Sequence, residues 1–156
     1  MKPRSTAASL AVLGGFILVT FLAPVFGAFS PPGAWYQSLV KPSWNPPSWI
    51  FGPVWTALYL MMATAAWLVW KRIGRGPVLN LYFVQLALNA AWTPMFFGAH
   101  EIGAALVIIG CMWGAIFKTM QAFLSVHRPA GLLLVPYLAW VSFATFLNFT
   151  LWRLNP

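Results

Sequence analysis

Five long apolar runs separated by polar connectors dominate the chain, at residues 6–29, 47–70, 78–98, 101–126 and 130–152. A helix needs about 20 predominantly apolar residues to cross the hydrocarbon core of a bilayer, and each run has that length. Backbone amides in lipid must be satisfied within a helix or a closed barrel. These runs are too long for barrel strands and do not alternate with period two, so they predict helices. The longer connector spans residues 30–46. The pattern predicts an all-α integral membrane protein: one domain over residues 1–156, folded as a five-transmembrane-helix bundle. No internal repeat of the secondary-transporter kind is visible.

Met1-Lys2-Pro3-Arg4 followed by an apolar run also fits a signal peptide. The run continues through Phe29, longer than an ordinary signal core, so a retained first helix is expected. Composition agrees with a membrane chain, with 61% hydrophobic and 6% charged residues against about 25% charged in soluble domains. The formal charge of +8 sets nine Lys and Arg against Glu101. A nucleic-acid binder presents such charge as a soluble patch. Here it lies between apolar runs and reads as a topology signal, so no nucleic-acid partner is expected. Lys2, Arg4, Lys71, Arg72, Arg75 and Arg128 fall on the N-terminal side of the bundle, and Lys41 and Arg153 on the other. That asymmetry predicts a cytoplasmic N-terminus in an inner-membrane setting; a bacterial cell membrane is expected, with an outer or organellar membrane left open. Lys118, about two turns from its helix end, can snorkel to the surface.

Catalytic chemistry is sparse. No predicted helix carries an acid at its middle, and His100 and His127 stand singly at helix ends. Ion-driven transporters keep ionisable relays within the membrane, and metal sites need several His, Cys or carboxylate ligands. There is no phosphate loop, carboxylate pair or nucleophile–base pair. This argues against a pump, an ATPase, a metalloenzyme or a hydrolase. No metal site and no required cofactor are expected, while a passive or ligand-borne activity stays open. Cys111, the single cysteine, cannot form an internal disulfide and is expected to be a small packing residue.

Aromatic residues remain. Of ten tryptophans, Trp35, Trp67, Trp70 and Trp152 suit interfacial anchoring. Trp55, Trp92, Trp113 and Trp140 lie deeper. At about 1.5 Å per residue, Trp55 is about 12 Å into its helix and Trp92 about 9 Å from the same face. Trp113 and Trp140 fall near the middle of theirs. Trp55, Trp92 and Trp140 therefore either pack a core together or line an aromatic pocket in the non-cytoplasmic half. Helical stripes support inward faces: Gln85, Asn89, Trp92 and Phe96; Tyr137, Trp140, Ala144, Leu147 and Asn148; Trp55 and Tyr59. Amides facing lipid are costly, so Gln85, Asn89 and Asn148 should bond between helices or meet a ligand's polar edge. Lys41-Pro42-Ser43-Trp44-Asn45-Pro46-Pro47-Ser48-Trp49 combines three prolines with two tryptophans. Such a stiff, aromatic loop predicts a lid over the bundle mouth. Gly110 and Gly114 form a small-xxx-small pair, suited to close packing inside the monomer or to a homodimer.

These blocks carry a resemblance. The loop just quoted, Trp35-Tyr36, Gly52-Pro53-Val54-Trp55-Thr56-Ala57-Leu58-Tyr59, Gln85-Leu86-Ala87-Leu88-Asn89, Trp92-Thr93-Pro94-Met95-Phe96-Phe97-Gly98, Pro136-Tyr137-Leu138-Ala139-Trp140 and Ala144-Thr145-Phe146-Leu147-Asn148 run through nearly the whole chain. Together they resemble the TspO/MBR family of translocator proteins, or peripheral-type benzodiazepine receptors, and bacterial tryptophan-rich sensory proteins. The resemblance implies a five-helix bundle, often homodimeric, with a pocket for porphyrins, heme and synthetic benzodiazepine-type ligands beneath the first loop. Protoporphyrin IX or heme is the ligand it implies. By position the pocket would comprise Trp49, Phe51, Trp55, Asn89, Trp92, Trp140, Ala144 and Leu147, with Trp44, Asn45, Pro46 and Pro47 in the lid. In some bacterial relatives, light-dependent protoporphyrin breakdown is attributed to tryptophans matching Trp55 and Trp140. The function implied is a tetrapyrrole sensor, scavenger or carrier; the alternatives are a light-dependent porphyrin-degrading enzyme and a transporter of tetrapyrroles or lipids. Two departures stand out. Phe149 occupies the position where sterol-binding members carry a Tyr, which puts sterol binding in doubt. Ala104 stands where animal members place a ligand-contacting Trp.

Overall fold

The computed structural model describes residues 6–156. Lys2 and Arg4, counted above in the charge asymmetry, lie outside the described residues. The chain folds as α1 (Thr6–Ala28), α2 (Ala34–Ser38), α3 (Ser48–Ile73), α4 (Pro77–Thr93), α5 (Ile102–Val126), α6 (Arg128–Leu132) and α7 (Val135–Leu154), with a π-helical turn, Pro94–Gly98, continuing α4. There is no strand among the described residues. Among the described residues, four stretches are long and apolar enough to cross a membrane: α1, α3, α5, and α6–α7 taken together as Arg128–Leu154. The protein is a multi-pass integral membrane protein.

Three expectations need correction. The connector 30–46 is not irregular throughout, because Ala34–Ser38 forms the short helix α2. The run 130–152 is not one helix. It breaks at Leu133 and Leu134, because Pro136 has no N–H to give the Leu132 carbonyl one turn back and its ring clashes with that carbonyl. The run 78–98 changes helix type at Pro94. Proline has no N–H to give the carbonyl of residue 90. The turn widens instead, and Ala99 N–H bonds the Pro94 carbonyl at 2.9 Å.

The core is built from small residues and interhelical polar bonds. Ala63, Ala65, Ala66 and Val69 of α3 are wholly buried. In lipid, where apolar side chains gain little by leaving their surroundings, such small residues let backbones approach closely. α1 packs on α3 and α4, and α5 on α4 and α7. Buried Thr20 of α1 bonds the Tyr82 hydroxyl of α4, and Trp67 Nε1 donates to the Ser9 carbonyl at 2.9 Å. These bonds make α1 an integral wall of the bundle. The Trp67–Ser9 bond and the packing of α6 on α3 place the start of α1, Lys71 and Arg128 at one end. The side-chain amide of Asn155 pairs with the backbone of Val40 at the other end.

Among the described residues, nothing packs closely on the α5 face at Gly110 and Gly114. A Cβ added at either would meet nothing within 4 Å, so the internal-packing expectation for this pair fails. Cys111 on the same face is exposed, contrary to its expected packing role. Trp113 also points outward, bonding Ser142 Oγ at 2.8 Å and stacking on Phe117 at 5.6 Å.

Candidate functional site

α1, α3, α4, the π turn, α5 (through Ile109 and Met112) and α7 surround a cavity of about 1050 Å³ whose mouth lies under the loop. Helical spacing explains the α3 wall. Phe51, Trp55 and Tyr59 recur every four residues and so share one face. Trp55 stacks on Tyr59 at 5.4 Å and meets Tyr137 edge-on at 6.1 Å. α4 supplies Asn89 and Trp92, and the π turn adds Phe96 and Phe97. The turn swings Phe96 under Trp92, with ring centroids 5.1 Å apart. π-helical turns recur at functional sites because they re-aim side chains in this way. α7 contributes Trp140, Ala144, Leu147 and Asn148. Trp140 stands edge-on to Phe51 at 5.8 Å.

Polar groups in the walls are few and mostly paired. Tyr59 Oη donates to Asn89 Oδ1 at 2.8 Å, Asn89 Nδ2 to Tyr137 Oη at 3.0 Å, and Tyr137 Oη to Gln85 Oε1 at 2.8 Å. This chain joins α3, α4 and α7 beneath the cavity floor. Gln85, 1% exposed, keeps its Nε2 without a protein partner. A second bridge runs from Trp92 Nε1 to Asn148 Oδ1 and from Asn148 Nδ2 to the Ile102 carbonyl, each 3.0 Å. The interhelical bonding expected of Gln85, Asn89 and Asn148 is therefore present, and Asn89 and Asn148 also reach the cavity wall.

Phe51, Trp55, Asn89, Trp92, Trp140, Ala144 and Leu147 all line the cavity. Trp49 does not; it is 74% exposed. α3 begins at Ser48, and two residues separate Trp49 from Phe51, which turns it about 200° away from the lining face. Of the expected lid, Asn45, Pro46 and Pro47 line the mouth. Trp44 instead lies against the outside of α7, stacked on Phe146 at 5.3 Å and edge-on to Phe143 at 6.0 Å. It anchors the loop rather than covering the opening. Among the described residues no cluster of His, Cys or carboxylates is placed to hold a metal.

Several lining residues were not singled out from sequence. Phe21, Pro24 and Gly27 form the α1 wall. α1 is apolar all round, so no stripe marks its inner face. Tyr36, Gln37 and Lys41 line the mouth from the loop. Burial pushes the Tyr36 hydroxyl pKa up. Lys41 Nζ donates to the carbonyls of Tyr36, Gln37 and Leu39 and sits 4.6 Å from the Tyr36 ring centre. A cation there offsets the negative end of α2, a short-range reason for a helix in the loop.

The loop is fastened to α7. Val40 N–H donates to Asn155 Oδ1 at 2.9 Å, and Asn155 Nδ2 donates to the Val40 carbonyl at 3.0 Å. Each such bond is worth about 1 kcal/mol. Asn155→Ala is therefore expected to speed amide exchange at Val40 about tenfold while amides in α5 stay as protected as before. Unchanged exchange at Val40 would mean that the prolines alone hold the loop.

Comparison with known proteins agrees with this architecture. The sequence model of the TspO/MBR family matches residues 9–153. A tryptophan-rich protein TspO of Chlorobaculum tepidum is 52% identical over 134 residues, 82% of this chain and 85% of its own length. A tryptophan-rich sensory protein of Cereibacter sphaeroides is 44% identical over 144 residues, covering 89% of this chain and 91% of its own. The human translocator protein is 49% identical over 126 residues, covering 78% and 75%.

Proposed function

This chain belongs to the TspO/MBR family, and from that premise we propose that it binds a porphyrin- or heme-type tetrapyrrole in its intramembrane cavity and acts as a sensor, scavenger or carrier. One observation carries the reading: a cavity of about 1050 Å³ faced by Trp55, Trp92, Trp140, Phe51 and Phe96. Ligand pockets run to about 1,000 Å³ and are mostly apolar with a few convergent polar groups. Indole and phenyl faces favour offset or edge contacts with a broad π-system, and the amides of Asn89 and Asn148 can orient its polar edge. Titration with protoporphyrin IX should quench tryptophan fluorescence to saturation at one ligand per chain. Quenching that rises linearly without saturating would reduce the interaction to lipid partitioning.

In this reading the bundle crosses the membrane five times. The 17-residue α4, extended by the five-residue π turn, is the remaining span, long enough for a bilayer of about 30 Å. The end carrying Lys71, Arg72, Arg75 and Arg128 faces the cytoplasm of a bacterial cell. A homodimer forms through the uncovered Gly110 and Gly114 face of α5. Gly110→Leu with Gly114→Leu, at positions where an added Cβ meets nothing within 4 Å, should then convert solubilised dimer to a folded monomer. A dimer that persists uses another face.

Light-dependent porphyrin breakdown is the second reading. It is favoured by the ring contacts of Trp55 with Tyr59 and Tyr137, which place electron-rich side chains in series beside the cavity. The bound ligand's photochemistry would drive it. Illumination in air, with and without Trp55 and Trp140, separates host from reactant.

A further inference from the structure

The cavity is apolar along most of its wall but, among the described residues, carries one charged side chain, Lys41. The chain's one acid, Glu101, precedes α5 and does not line the cavity. The Lys41 ammonium is thus partly buried at the mouth with no carboxylate side chain in the wall around it. Its three N–H groups are met only by neutral carbonyls. Two of those bonds are long, at 3.3 Å to Gln37 and 3.2 Å to Leu39, near the outer limit for N–H donors. Carbonyl dipoles solvate the charge without cancelling it. Gln37 and Asn45 stand in the same wall and add amide groups at the same end.

We infer that Lys41 is the carboxylate-recognising group of this cavity, which therefore selects an anionic aromatic ligand seated with its rings among Trp55, Trp92 and Trp140 and its acid group at the mouth. The inference rests on the cavity being a ligand site, as proposed above. A carboxylate arriving there exchanges one long bond to a neutral carbonyl for a bond to an opposite charge, so that the ammonium is paired as well as solvated. It also meets a charge in surroundings far less polar than water, where attraction is larger. An esterified ligand of the same shape has the rings but not the charge.

The test compares acids with their esters, in nanodiscs of phosphatidylcholine so that the bilayer adds no net charge. The two pairs are protoporphyrin IX with its dimethyl ester, and 1-pyrenebutyrate with its methyl ester. Wild-type protein should bind each acid about tenfold more tightly than its ester. Lys41→Gln should bring that ratio to about one and leave ester affinity unchanged, while Lys41→Arg should keep the preference. If Lys41→Gln weakens acid and ester alike, Lys41 only caps α2 and the inference is wrong. Wild-type protein that binds both porphyrins equally overturns it too, while the tetrapyrrole reading stands. If the porphyrins fail to bind but the pyrene pair is discriminated through Lys41, the inference holds and the tetrapyrrole reading falls. Failure of all four probes overturns both.

Discussion

A chain carrying Trp55→Ala and Trp140→Ala together is expected to bind protoporphyrin IX about 100-fold more weakly than wild type. Each indole presents a large apolar face, and losing one contact of this kind costs about 1.4 kcal/mol, or tenfold in affinity. The two rings come from α3 and α7 and lean on different neighbours. Trp55 rests on Tyr59 and Tyr137, and Trp140 on Phe51 and Phe143. Taken as additive, the two losses give the product. Both side chains also pack against the core, so thermal unfolding in detergent should confirm that the double variant is folded at the titration temperature. Fluorescence titration of the remaining tryptophans supplies the readout. Trp49→Ala is the matched control and should bind as wild type does, since that ring is outside the cavity. Undiminished affinity in the double variant would remove the ligand from this cavity altogether.

Gly131→Ala is expected to lower stability by about 3 kcal/mol. Gly131 lies in α6, where the chain turns back after α5, and a Cβ there would stand 2.4 Å from Leu124 Cγ and 2.7 Å from the Leu124 backbone nitrogen. The leucine side chain can rotate away. The nitrogen belongs to the last two turns of α5 and cannot move without shifting that helix. Overpacking that forces backbone movement costs about 1–3 kcal/mol or more. Thermal unfolding in detergent should show a clear drop for this variant and none for Gly110→Ala, whose added methyl meets open space. Equal stability of the two would mean that the turn opens freely.

Some of the site was legible because local periodicity governs it. Phe51, Trp55 and Tyr59 repeat at one helical turn, so any helix through them presents one aromatic face. Gln85, Asn89 and Trp92 behave alike, and amides in an apolar run must point inward. Trp49 enters the expected pocket only through the resemblance; two places from Phe51 on the same helix, it falls on the far side. Trp44 was misplaced because loop conformation follows contacts with distant Phe143 and Phe146, which no local pattern encodes. The α1 wall was invisible for the opposite reason. A run apolar on every face does not say which face turns inward. The role of Lys41 was hidden as well, since a lone basic residue in a connector reads first as topology.

Sequence alone determined that this protein lives in a membrane, as helices, with aromatic and amide stripes facing inward. Hydrocarbon penalises unpaired backbone and side-chain amides, and that constraint acts segment by segment. Only the tertiary structure decided that the stripes enclose an open cavity rather than a filled core, that the Gly110 and Gly114 face is left uncovered, and that one ammonium stands at the mouth. Those outcomes depend on how far apart α1, α3, α4 and α7 are held. That spacing is fixed by contacts between distant parts of the chain: Thr20 with Tyr82, Trp92 with Asn148, and Asn155 with Val40.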